Sequence, residues 1–242
     1  MGCSSGPWAW SDDAVSCVAA PAGLVRLTGD RYSIFAEAGG TDDPGLAAAA
    51  AYGIGDYHLG TAASYRIAET LPDTVEASVS AARTVRGDPV GFMEGVFGPS
   101  ISLGGSLGFI GVDGDTGGSE RMLYAHLGFQ FSVFPTVAIG ANMSHIRLAG
   151  DALEERSLDY GFTTIFDKRF RGHFAVTDGN ASVGFELGVR DWLTVRSGSD
   201  GSSWNSGISL GTGSLSVDWA VSLNGSDCRQ GMGITLATGG GS

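Results

Sequence analysis

Residues 121–133 read Arg-Met-Leu-Tyr-Ala-His-Leu-Gly-Phe-Gln-Phe-Ser-Val. Leu123, Ala125, Leu127, Phe129, Phe131 and Val133 fall on every second position. Tyr124, His126, Gly128, Gln130 and Ser132 fill the positions between them. Successive side chains of a strand point to opposite faces, so the stretch is a strand with one apolar face and one small or polar face. The same alternation holds for 100–112, where Ile101, Leu103, Leu107 and Phe109 oppose Ser100, Ser102, Gly104, Ser106 and Gly108. It returns at 181–189 with Val183, Phe185, Leu187 and Val189, and at 214–223 with Leu215, Val217, Trp219, Val221 and Leu223.

Tight-turn candidates separate these runs: Gly55-Asp56, Gly98-Pro99, Phe134-Pro135, Asp167-Lys168, Arg190-Asp191 and Gly211-Thr212. Longer polar connections lie between them, at 39–45, 69–89, 113–120, 149–156, 199–203 and 224–227. The pattern predicts fourteen strands, near 25–38, 46–54, 57–68, 89–97, 100–112, 121–133, 136–148, 157–166, 169–177, 181–189, 192–199, 203–211, 214–223 and 228–238. Region 74–84 also alternates, through Val75, Ala77, Val79 and Ala81. A strand there would break the alternation of short and long connections, so it is read as loop or strand extension.

Composition agrees with an all-β chain. Of 242 residues, 40 are Gly and only 17% are charged, against roughly 25% in an ordinary soluble domain. No apolar run reaches the roughly 18 residues of a membrane-spanning helix. The net charge of −12 carries no basic nucleic-acid footprint. Cys3, Cys17 and Cys228 are too scattered to define a disulfide framework or a metal site, although a Cys3–Cys17 bridge stays open. No cationic, apolar export segment is visible, so an exported chain is expected to be a mature form or a piece of a longer one. Residues 239–242, Gly-Gly-Gly-Ser, read as a flexible tail.

The second face of the strands decides the environment. A soluble barrel or sandwich would carry Lys, Glu, Asp and Thr there. This chain carries Gly, Ser and Ala with isolated Tyr, His, Arg and Glu. A transmembrane barrel has that arrangement, with apolar residues toward lipid and small or polar ones toward the lumen. Closure also pairs every backbone group where lipid offers no partner. The fold expected is a closed antiparallel up-and-down transmembrane β-barrel of about fourteen strands over residues 25–238, in a bacterial outer membrane. A short plug-like or periplasmic segment, 1–24, precedes it.

Residues 11–27 read Ser-Asp-Asp-Ala-Val-Ser-Cys-Val-Ala-Ala-Pro-Ala-Gly-Leu-Val-Arg-Leu. With Asp12, Asp13, Pro21, Gly23 and Leu24, this resembles the element that precedes the first strand in FadL-type outer-membrane transporters and the related PorV-type proteins. Asp191–Gly198 (Asp-Trp-Leu-Thr-Val-Arg-Ser-Gly) and the Ser-Trp-Asn-Ser-Gly of 203–207 resemble the C-terminal strands of PorV-type barrels. The resemblance implies a fourteen-stranded barrel that passes small or hydrophobic solutes, with the N-terminal element inside or under it. It equally implies a PorV-like alternative, a barrel acting in protein secretion or surface attachment, with secreted proteins as partners. Outer-membrane lipid is the partner of the wall in both. A soluble all-β binding protein is the third reading.

No catalytic constellation is present in the sequence, and neither cofactor nor metal is expected. His58, His126, His145 and His173 lack metal-ligand spacing. His58, His126 and His173 share the polar face by parity, as does Tyr124. The letters of a nucleophile elbow, Gly104-Gly105-Ser106-Leu107-Gly108, lie inside an alternating strand, where the required strand-to-helix turn is absent. Arg169, Arg171 and His173 recur every second residue on one polar face, and Glu186 falls on the next strand. Arg196 and Asp218 share that parity farther along. Charged side chains inside a pore set its selectivity. Three basic groups against one carboxylate predict a local positive surplus that favours anions.

Overall fold

The computed structural model describes residues 21–27, 29–39, 44–54, 56–67, 73–88, 98–113, 119–151, 153–167, 169–212, 214–225 and 227–238. These residues form one short 3-10 helix, Pro21–Arg26, and fourteen strands. The first seven are β1 (Asp30–Gly39), β2 (Gly45–Ile54), β3 (Tyr57–Arg66), β4 (Asp73–Gly87), β5 (Ser100–Asp113), β6 (Ser119–Phe134) and β7 (Val137–Gly150). The rest are β8 (Ser157–Ile165), β9 (Phe170–Thr177), β10 (Asn180–Arg190), β11 (Leu193–Ser199), β12 (Trp204–Thr212), β13 (Leu215–Asn224) and β14 (Asp227–Thr238). Each strand pairs antiparallel with its neighbours in sequence, and β1 pairs with β14 to close the barrel. Asp30 lies opposite Thr238, so both ends of the barrel wall meet at one rim. That rim, which also carries the hairpin turns after β2, β6, β8, β10 and β12, is the turn end. The opposite rim is the loop end.

Two strands differ from the expectation. The first begins at Asp30 and not at 25, because Val25 and Arg26 complete the N-terminal helix. The wall uses Asp73–Gly87 as β4, and the stretch 89–97 lies outside the described residues. Val75, Val79 and Val85 point outward while Ser78, Ser80 and Ala82 are buried inward, so the alternation at 74–84 is that of a full strand. The count of fourteen is unchanged because β4 occupies the place given to 89–97. β4 therefore ends and β5 begins at the turn end, where the Asp88 N–H donates to the Pro99 carbonyl. The loop end in turn holds a two-residue hairpin, Asp178-Gly179, between β9 and β10. Both residues have positive φ, 49° and 88°, the conformation that two-residue hairpins require and that Asp-Gly accommodates.

The two faces of the wall have opposite chemistry. Leu103, Leu107, Phe109, Leu127, Phe129, Phe185, Leu187 and Ile234 are exposed on the outside, Leu127 by 59%. Ser33, Ser102, Ser106, Gln130, Asn142, Thr163 and Thr235 are buried on the inside. In water, an apolar band running right round a monomer would cost roughly 25 cal/mol per Å² and far exceed the patches soluble proteins tolerate. In lipid the same band costs nothing. The soluble reading is inconsistent with this inversion. Tyr32, Tyr52, Tyr57, Phe134, Phe166 and Trp192 are exposed aromatics near the turn end, where a barrel meets headgroups. Tyr32 and Tyr52 meet edge to face at 5.6 Å across β1 and β2. No described helix is long and apolar enough to cross a membrane.

Candidate functional site: the lumen

The N-terminal helix sits inside the barrel, against β3 to β6. Pro21, Ala22, Gly23, Leu24 and Val25 are all buried. Leu24, Val25 and Leu27 pack on Ala49, Ala51 and Ala82, a floor of small side chains from β2 and β4. Backbone-to-backbone approach is made possible by two glycines that face each other across β5 and β6, Gly104 and Gly128. A Cβ on Gly104 would lie 2.4 Å from the Ala22 nitrogen and the Pro21 carbonyl carbon, well inside any real contact. A Cβ on Gly128 would approach Ala22 to 3.1 Å. The Pro21, Gly23 and Leu24 of the sequence motif are thus seated in the lumen, in the half nearer the turn end. Asp12 and Asp13 lie outside the described residues, as do Cys3 and Cys17.

The opposite wall carries the charges. Glu186 on β10 is the direct cross-strand partner of Arg171 on β9 and of Arg196 on β11. Arg171 Nη1 donates to Glu186 Oε1 at 3.1 Å, and Arg196 Nε donates to Glu186 Oε2 at 2.8 Å. Arg196 stands opposite Gly207, which has no side chain to block its reach across β12. Its Nη1 donates to Asp218 Oδ1 at 3.3 Å and to the hydroxyl of Ser209, which itself donates to Asp218. His173 Nδ1 shares a 3.0 Å hydrogen bond with Thr163 Oγ1 on β8.

Two expectations are corrected here. Arg169 precedes β9, and its exposed guanidinium faces Asp191 at 3.8 Å across the turn-end hairpins instead of joining the lumen row. The positive surplus also fails. Two guanidiniums, Arg171 and Arg196, meet two carboxylates, Glu186 and Asp218, so the network balances. Parity gives the face of each group, but not the meeting of Arg196 with Asp218, which stand two strands apart.

A third cluster lines the loop-end half. Tyr124 and His126 point inward as expected and are 0% and 3% exposed. The Tyr124 ring crosses Gly108, its partner on β5, where a Cβ would clash with the ring, and its hydroxyl donates to Glu76 on β4. The ring of His145 joins them, 5.3 Å from Tyr124 and 4.8 Å from His126, centroid to centroid. By parity His145 should face lipid. A β-bulge on β7 shifts the register between Met143 and Ile146, and His145 takes a φ of 51°, which turns it inward; a second shift between Arg147 and Ala149 restores the parity. Glu76 belongs to β4, the stretch whose alternation the spacing of connections assigns to a loop, and the inward turn of His145 comes from a bulge, which leaves no mark on period-two alternation. Leu153, from the connection after β7, packs on Ile110, Met122 and Tyr124. Phe35, Tyr65, Glu37, Glu76, His145 and Arg229 border a cavity of about 180 Å³ in this half. Among the described residues, no group of His, Cys, Asp and Glu has the arrangement of a metal site.

No protein-family model matches the sequence, and no curated protein matches it. Solved structures match the fold. The toluene transporter TbuX of Ralstonia pickettii aligns with a TM-score of 0.57 and 13% identity over 90% of both chains. The toluene transporter TodX of P. putida aligns with a TM-score of 0.61 and 10% identity, over 93% of this chain and 94% of its own. Acinetobacter baumannii outer membrane protein Omp33 aligns with a TM-score of 0.56 and 10% identity, over 87% and 98%. The chain therefore has the closed-barrel fold of bacterial outer-membrane proteins.

Proposed function

We propose that the chain is an outer-membrane channel for small hydrophobic solutes, restricted from the turn end by its own N-terminal helix. The carrying observation is the seating of Pro21–Arg26 on Gly104 and Gly128 inside a lumen whose opposite wall carries the balanced network of Arg171, Glu186, Arg196 and Asp218. A neutral network exerts little pull on ions, which suits an uncharged solute. The floor of Ala49, Ala51 and Ala82 under Leu24 gives the lumen an apolar strip beside its polar one. The fold likeness to the two toluene transporters supports the same reading. The protein supplies a wall and a constriction, and no chemistry. Deleting residues 1–28 is expected to raise single-channel conductance in planar bilayers severalfold and to speed toluene entry into liposomes. Unchanged conductance with an intact barrel would remove the helix as the restriction. No toluene entry through either form would sink the channel reading, and secretion partners would then be sought by pull-down.

A further inference from the structure

At the turn-end rim, on the wall away from the helix, lies a cavity of about 250 Å³. Its walls include Arg31, Arg196, Thr194, Ser209, Ser216 and Thr235. Arg196 is engaged by Glu186, Asp218 and Ser209. Arg31 is different. It is the second residue of β1, points inward beside the hydrogen-bonded pair Ser33–Thr235, and is partly buried. Its Nε has lost its contact with solvent and has no hydrogen-bond partner among the described residues. A charged donor withdrawn from water without an acceptor is costly, and folds rarely keep one unless something outside the chain completes it.

We propose that Arg31 anchors a docking site for a small monocarboxylate at the turn-end rim. The guanidinium offers a planar fork of donors that matches the two oxygens of a carboxylate. The Ser and Thr hydroxyls around it can donate to the same oxygens. Asp218 and Asp191 border the same cavity, so a dianion such as phosphate meets more repulsion than a single charge does. Trp192 supplies an apolar surface at the edge, which suits an aromatic or short aliphatic body on the acid. The site is separate from the channel reading, since it binds a charged group at the rim whether or not solute crosses the lumen.

Isothermal titration of benzoate into the full chain in detergent tests this, with benzyl alcohol as the uncharged control. The parent is expected to bind benzoate and to bind benzyl alcohol much more weakly. Arg31→Gln should weaken benzoate binding roughly tenfold or more, and Arg31→Lys, which keeps charge but loses the fork, should fall between. Should Arg31→Gln not fold, Ser216→Asp places a competing carboxylate in the cavity and should weaken benzoate by a similar factor. No benzoate binding by the parent, equal binding of benzyl alcohol, or undiminished binding by a folded variant would each overturn the site. Conductance is read on the same preparations. Benzoate binding without conductance keeps the site and sinks the channel, and conductance without benzoate binding does the reverse.

Discussion

The two halves of the barrel wall solve one problem with different materials. Strands β4 to β7 are long, and β2 to β6 line the turn-end interior with Gly and Ala, on which a piece of the same chain is laid. Strands β8 to β13 are shorter and fill the interior with their own side chains, Arg171, Glu186, Arg196, Ser209 and Asp218. A lumen too wide for small side chains must hold something: a helix, paired charges or water. The helix side depends on the absence of side chains at two facing positions. The charged side depends on register, because Glu186 stands directly between two arginines. A small change on the helix side should therefore alter the path through the barrel, and one on the charged side its stability.

The largest effect is expected at Glu186. Glu186→Ala leaves Arg171 and Arg196 on a mostly buried wall without their shared acceptor. Uncompensated buried charge costs about 3–5 kcal/mol, and the partial exposure of Arg196, 35% of its side chain, places this case near the lower limit. Urea unfolding in detergent, followed by the gel mobility of heated and unheated samples, measures it. A loss within 1 kcal/mol, on the order of an exposed pair, would mean that water already screens the network.

Gly104 tests the other half. Gly104→Val puts branched carbon where Pro21 and Ala22 now lie, and overpacking of that kind costs about 1–3 kcal/mol if the helix stays. The expected result is a displaced helix, a closed barrel and a conductance close to that of the chain lacking residues 1–28. The parent's conductance in a stable Gly104→Val barrel would show that the helix does not limit the path.

The smallest effect is expected at the loop end of the charged half, where Asp200 shapes the connection between β11 and β12. Burial opposes its charge, but hydrogen bonds from Ser203 and Ser202 outweigh that and hold the carboxyl at about 2. A folded-state value below the unfolded one stabilises the loop at ordinary pH, and that support is lost as pH falls through about 2. Asp200→Ala should cost under about 1 kcal/mol, as exposed interactions do. The Ser202 and Ser203 amide shifts should titrate near 2 in the parent and be flat in the variant. Titration in the ordinary carboxylate range would remove these bonds from the account.

The alternation of Leu123 to Val133 with Tyr124 to Ser132 was enough to state a closed barrel, its apolar outside and its strand count, because period two is a property of the backbone itself. The inward positions of Tyr124, His126, Arg171, His173, Glu186, Arg196 and Asp218 were legible for the same reason. The Pro21–Leu24 motif was legible only as a resemblance. Nothing along the chain says that Gly104 and Gly128 face each other, since their pairing is set by the register of β5 on β6. Nor does it say that His145 turns inward, since a single extra residue on β7 reverses parity without changing the residue types around it. The balance of charge was equally hidden, because Arg196 reaches Asp218 across Gly207 on the intervening strand. Local alternation determines which face a side chain takes. Which side chains meet depends on how distant strands are aligned, and only closure of the barrel decides that.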